Sequence, residues 1–332
     1  MKKILLVDAD SVIPNIPLMK LSSWHKANGD KVEFMKCNIP YYPNRKKKIV
    51  KLPKGFDITY CSVVFDGNKE YVIGNNIIFG GTGVDLTTVL PKEVECCIPD
   101  YSIYPDNDTA YGFITRGCIR NCSFCKVPAK EGMIHRVSSI NSILQSGHKR
   151  VKFLDNNILA YPKHKQILQY LIDRRILCQF CQGLDIRLLD SENSELLYKL
   201  RYIGEYIFAF DSWKYRKIID KKLELLNWRK PWQLKFFVYV NSNMELSETV
   251  NRIIWLKRRS CLPYIMRDIN CWNNDKILVD FYTDLAAYCN QVSIFKSMEF
   301  NEFLKRRHVD ANRIKFSSSL WGRANVGLVP GY

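Results

Sequence analysis

No stretch of this sequence approaches the roughly 20 apolar residues that cross a bilayer, so it contains no candidate membrane span. The opening MKKILLVDAD begins with two lysines, as an export signal does, but its apolar run stops at Asp8. That is too short for the apolar core of a signal peptide, and export is not expected. Acidic residues are the scarce charge: 33 Asp and Glu stand against 50 Lys and Arg, a net charge of +17. Such a surplus attracts polyanions and raises their encounter rate, which favours a nucleotide or nucleic-acid partner. A generally lysine-rich composition produces the same sum without one. Internal repeats and long low-complexity segments are missing as well. The sequence reads as a soluble, cytoplasmic protein.

Cysteine, by contrast, is plentiful. Twelve cysteines in 332 residues, in a compartment that keeps thiols reduced, point to metal or redox sites rather than a disulfide framework.

The length suits one large α/β domain or two moderate ones. Over residues 1–98, KILLVDA, KVEF, ITYCSVVF and NNIIFGGTG read as strands, with a helix over 17–30 that Gly29 stops. Alternating elements predict an open parallel sheet there. The proline- and lysine-rich segment 40–55 reads as a loop, and 90–110 as a linker. Six further strands follow at 111–115, 151–155, 178–182, 206–210, 234–240 and 262–266, with helical stretches between them. Over 99–270 this rhythm predicts a parallel barrel, complete or partial, with active residues at the C-terminal strand ends. Residues 271–332 break the rhythm. They are helical over 277–290, then basic and mixed, and form a C-terminal extension suited to substrate binding.

The segment TRGCIRNCSFCKVP, 115–128, sets Cys118, Cys122 and Cys125 in a C-x3-C-x2-C array directly after the 111–115 strand. These spacings let one tight loop turn three sulfurs to a common point, and thiolates suit zinc or iron–sulfur clusters. A structural zinc needs a fourth ligand, for which His135 is the nearest histidine. A [4Fe–4S] cluster on three thiolates instead leaves one iron open to an outside ligand.

The array, its preceding strand, Phe124 just ahead of the last cysteine and the five βα units behind it resemble the radical S-adenosylmethionine superfamily. The resemblance implies a partial (β/α)6 TIM-like barrel with a [4Fe–4S] cluster on Cys118, Cys122 and Cys125. S-adenosylmethionine would chelate the fourth iron, and an external flavodoxin- or ferredoxin-type donor would supply one electron. The products are methionine and a 5′-deoxyadenosyl radical that takes hydrogen from a substrate. Phe124 is implied as a cofactor contact. Asp155, Asn156 and Asn157 stand where the family places a Gly-Gly-Glu-like segment, and their oxygens suit an ammonium group. Gln182, Asp185 and Arg187 follow the third strand. Arg187 either clamps a carboxylate bidentately or pairs with Asp185 to fasten strand to helix. Asp211 and Asn241 end the fourth and fifth strands as candidates for ribose or methionine contacts.

Residues 1–98 resemble the cobalamin-binding-type, Rossmann-like domain of one subgroup of that superfamily. Gly80, Gly81 and Gly83 follow an apolar strand, as a turn beside a ligand requires. The subgroup's Asp-x-His-x-x-Gly motif is absent and the domain is one βα unit short. A degenerate domain that shapes the substrate cleft is therefore expected, with cobalamin as the alternative cofactor. Cys178 and Cys181 would point to opposite faces of a strand. With Cys96, Cys97 and the five other cysteines they are expected to be buried, inert thiols.

Together these readings give a radical enzyme acting on a nucleotide or nucleic acid, with NRKKK at 44–48, KRR at 305–307 and the aromatics Tyr41, Tyr42 and Trp321 as candidate phosphate and base contacts. The alternatives are a cobalamin-dependent radical methyltransferase, a peptide-modifying radical enzyme and a non-catalytic zinc-bearing RNA-binding protein.

Overall fold

The computed structural model describes residues 1–42, 45–144 and 147–326. The chain divides into two compact units, Met1–Asn156 and Asn157–Tyr332. Both are α/β with parallel strands.

In the first unit, Lys3–Asp8 is flanked by Lys31–Lys36 and Ile58–Ser62, and Ile77–Gly80 extends the sheet beyond the latter. All three pairings are parallel. Residues 4–8 are buried without alternation, as a central parallel strand covered on both faces must be. Helix Ile16–Ala27 starts where the Asn15 side chain accepts from the Leu18 amide, and the chain leaves it through Gly29 at φ +77°. Leu18 and Leu21 pack against Ile4 and Leu6.

The 90–110 segment, linker-like in sequence, is docked along this helix. Asp100 accepts from Ser22 at 2.6 Å and pairs with Lys26 at 2.7 Å, Ser23 donates to the Ile98 carbonyl, and Val94 is buried. The 40–55 segment contains Val50–Lys51, which pairs with Val72–Ile73; Pro43 and Asn44 lie outside the described residues. Ala110–Gly112 and Arg150–Phe153 form a second parallel pair. Thr115–Arg116 and His135–Arg136 form a short antiparallel one.

In the second unit Leu177–Phe180 pairs with Arg201–Tyr202. Tyr206–Ala209, Leu234–Val240 and Leu262–Arg267 make a three-stranded parallel sheet in chain order. Leu234, Phe236, Val238 and Val240 are buried and alternate with half-buried residues. Tyr264 and Met266 remain 37% and 44% exposed, and Tyr264 lies opposite Phe237 with ring centroids 5.7 Å apart. Parallel sheets are normally covered on both faces, so this partly bare face is unusual.

Helix Leu246–Arg258 buries Val250, Ile253 and Ile254. Lys276–Cys289, Val292–Ser297, Phe300–Arg306 and Ala311–Val326 close the unit. The basic 303–316 stretch, mixed in sequence, thus belongs to two helices. Trp321 is not available for stacking on a base: it is 5% exposed, with its ring 4.7 Å from Phe300. Arg307 turns towards the buried Asp284 at 3.6 Å, beside the closer Arg313 at 2.7 Å. Among the described residues no helix is long and apolar enough to cross a membrane.

Candidate functional site

The cysteine loop hangs from the short antiparallel pair. Gly117 has φ +82°, and a Cβ there would lie 2.4 Å from the Met133 carbonyl oxygen. Only glycine lets the two sides of the neck approach this closely. The Cys118 amide closes the neck by donating to the Gly132 carbonyl at 3.1 Å, and the Cys125 amide donates to the Cys122 carbonyl at 3.0 Å. Two amides point at sulfur: Arg120 N lies 3.3 Å from Cys118 Sγ, and Val127 N lies 3.4 Å from Cys125 Sγ. All three cysteines are half-buried, and Phe124 is exposed. The partial exposure of the cysteines leaves an approach for an external group. Three thiols are the ligand type that an iron–sulfur cluster uses. As it stands, no group of three or more His, Cys, Asp or Glu side chains among the described residues is arranged to hold a metal ion.

Asp155 and Asn156, at the C-terminal end of Arg150–Phe153, grip the segment that enters the loop. Asp155 is 2% exposed. It accepts from Ile114 N at 3.2 Å, Thr115 N at 2.5 Å and Thr115 Oγ1 at 2.7 Å. Burial pushes its carboxyl up to about 6 despite these three donors. Asn156 Oδ1 accepts from Gly117 N at 3.1 Å. Both residues therefore serve the loop neck. Arg116, within that neck, lies over the Phe113 ring and faces Glu95 and Glu131 at 3.7 and 3.8 Å.

At the edge of the N-terminal sheet the glycine turn is already filled. A Cβ on Gly81 would meet the Val63 carbonyl oxygen at 2.3 Å, and one on Gly83 the Phe65 carbonyl oxygen at 2.5 Å. Buried Asp10 holds that neighbouring loop through the Val64 and Phe65 amides and Asn68. Lys47, in the basic run at 44–48, donates to Asn68 Oδ1 at 2.6 Å. The glycines make room for backbone at this turn.

In the second unit, Asn157 is buried at the start of the turn Ile158–Ala160. Gln182 is exposed just after Leu177–Phe180. Arg187 forks onto Asp185, Nε to Oδ1 at 2.7 Å and Nη2 to Oδ2 at 3.0 Å, and its guanidinium lies 4.5 Å from the Tyr215 ring centroid. The pair thus fastens residues 185–187 together. Asp211 follows Tyr206–Ala209 and accepts from the Tyr239 amide at 3.3 Å, with its carboxyl raised by burial. Asn241 follows Leu234–Val240. Its Oδ1 accepts from Asn243 N and Asn270 Nδ2, and its Nδ2 donates to Tyr239 Oη. Tyr239 in turn donates to Asp268 at 2.6 Å.

Sequence reasoning missed Arg252. It is fully buried, donates to the carbonyls of Phe210 and Tyr239 at 2.9 and 3.0 Å and to Thr249 Oγ1 at 3.3 Å, and burial pulls its guanidinium down to about 10. It crosslinks the strand ends that carry Asp211 and Asn241. The available signal was a charge on the buried face of an amphipathic helix, three residues after Thr249 and four before Leu256.

None of the twelve cysteines is in a disulfide, and Cys61, Cys178, Cys261, Cys271 and Cys289 are buried. Cys178 is pushed up to about 12 by burial. Cys96 departs from the expected burial and is exposed, while Cys37, Cys97 and Cys181 are half-buried. No family model and no curated protein matches the chain.

Proposed function

We propose that this protein is a radical S-adenosylmethionine enzyme acting on a nucleotide or nucleic acid, with a Rossmann-like domain over 1–98 ahead of a partial (β/α)6 barrel over 99–270. The observation that carries the reading is the loop itself: three half-buried cysteines in C-x3-C-x2-C spacing, entered through a glycine neck, with backbone amides aimed at the sulfurs of Cys118 and Cys125. Cys118, Cys122 and Cys125 would hold a [4Fe–4S] cluster. Such a cluster, given an electron by an external donor, supplies the reductive cleavage of S-adenosylmethionine to methionine and a 5′-deoxyadenosyl radical.

The chain's own residues divide the remaining work. The amides of Arg120 and Val127 stabilise negative charge on sulfur. Asp155 and Asn156 are positioning residues, because their oxygens hold Ile114, Thr115 and Gly117. Gln182, Asp211 and Asn241 offer polar groups at strand ends for S-adenosylmethionine or substrate. Arg187, locked by Asp185, presents a fixed cation there. The bare sheet face around Phe237, Tyr264 and Met266 supplies apolar and aromatic surface for a ligand. Cobalamin has no part in this reading, since the Asp-x-His-x-x-Gly motif is absent from residues 1–98.

The test is anaerobic reconstitution with iron and sulfide, followed by chemical reduction in the presence of S-adenosylmethionine. The expected result is about four iron and four sulfide per chain with release of 5′-deoxyadenosine. A colourless protein that binds zinc and releases none would overturn the proposal.

A further inference from the structure

Directly after Asp211 the chain reads SWKYRKIIDKK, 212–222, which holds Lys214, Arg216, Lys217, Lys221 and Lys222 against the single acid Asp220. We infer that its first part, WKYRK at 213–217, is a landing site for single-stranded nucleic acid at the C-terminal edge of the second unit's three-stranded sheet. The substrate class so named rests on the radical-enzyme reading only for where the chemistry lies, not for the binding itself.

Three features support the assignment. Positive charge is in excess: Asp220 is taken by Arg259 at 2.7 Å, the Glu248 carboxylate is engaged by the Trp213 amide, and among the described residues Lys214, Arg216 and Lys217 make no ion pair. Lys214 and Lys217 are exposed.

Cations and rings are also interleaved at close range. Arg216 lies 5.0 Å from the Trp213 ring centroid, and Lys214 and Arg187 lie 5.1 and 4.5 Å from that of Tyr215. Single strands are bound by this combination, with cations along the phosphates and aromatic or guanidinium planes against unstacked bases. An acidic peptide would use the charge but not the ring faces. A duplex keeps its bases stacked on one another and cannot use them either.

The turn is also held in place. The Trp213 amide donates to Glu248 Oε1 at 2.8 Å, and the Trp213 ring stacks on Phe210 with centroids 6.2 Å apart. Binding would need little ordering of this segment.

The experiment measures binding of a labelled 12-nucleotide RNA, the DNA of the same sequence and the corresponding duplex to the full chain over a series of salt concentrations. The expected result is preference for single strands, with an affinity that falls steeply as salt rises; the stronger of the RNA and DNA arms identifies the source. Lys214→Gln/Arg216→Gln/Lys217→Gln should flatten the log affinity against log salt slope by about 2, at about 0.7 per phosphate contact. Lys214→Gln/Lys217→Gln, confined to exposed side chains, should flatten it by about 1.4. Trp213→Leu should weaken binding about 5- to 150-fold, the loss of one base stack. Cys122→Ala should bind like the wild type, because the landing site does not depend on the cysteine loop. Equal binding of duplex, or an unchanged affinity and slope in both charge variants, overturns the inference while leaving 5′-deoxyadenosine release untouched. No 5′-deoxyadenosine release by an iron- and sulfide-loaded wild type that retains single-strand binding would instead sink the radical-enzyme reading.

Discussion

The amide of Gly117 donates to the Asn156 side chain at 3.1 Å, fastening the residue before Cys118 to the end of the neighbouring parallel strand. Asp155 does the same for Ile114 and Thr115. The cysteine loop is therefore fixed at its neck by two side chains from one strand end, and its tip stays half-exposed.

Gly117→Ala should be among the most damaging small changes in the first unit. The new Cβ meets the Met133 carbonyl oxygen at 2.4 Å on a backbone at φ +82°. Positive φ alone costs about 1–2 kcal/mol, and displacing the carbonyl adds to it. Iron content after anaerobic reconstitution should fall well below that of the wild type, together with a lower denaturation midpoint. Full iron loading in Gly117→Ala would show that the neck does not set the loop.

Asp155 predicts a specific pH dependence. Its carboxyl is raised from 3.8 to about 6, chiefly by burial. Between those values the unfolded chain has released the proton and the folded chain retains it, so folding is opposed more strongly as pH rises. Each pH unit in that window costs about 1.4 kcal/mol, for a total of about 3 kcal/mol. Asp155→Asn removes this dependence but turns an amide NH2 towards a backbone donor, a loss of about 1–3 kcal/mol. In denaturant titrations the advantage of wild type over Asp155→Asn should narrow from pH 4 to pH 6. Parallel stability curves across that range would contradict the assignment.

Arg252→Ala should destabilise the second unit by about 3–5 kcal/mol, because it leaves two buried carbonyls without their donor and opens a cavity. Arg252→Met keeps most of the volume and should lose less. Urea midpoints decide this; an Arg252→Ala chain within about 0.5 kcal/mol of wild type would mean the crosslink between strand ends is unimportant.

The regular elements were legible because apolar periodicity is local. Leu234–Val240, the helix Leu246–Arg258 and Lys276–Cys289 lie close to where the sequence placed them. The expected 111–115 strand instead divides into Ala110–Gly112 and Thr115–Arg116. Asp155, 40 residues away from Thr115, takes the amides of Ile114 and Thr115 at this break. Distance in sequence also hid the docking of 90–104, since Asp100 meets Ser22 and Lys26 78 and 74 residues away. The cysteine spacing was plain in the sequence. The residues that hold its loop were not, because hydrogen-bond partners between elements depend on tertiary contact rather than on period.

The most direct test of the account is the yield of 5′-deoxyadenosine from S-adenosylmethionine, measured under anaerobic reduction for reconstituted wild type and for Cys122→Ala side by side. The account predicts release by the wild type and none above background for the variant, together with loss of its iron. Equal release by both proteins, or none by a wild type fully loaded with iron and sulfide, would contradict it.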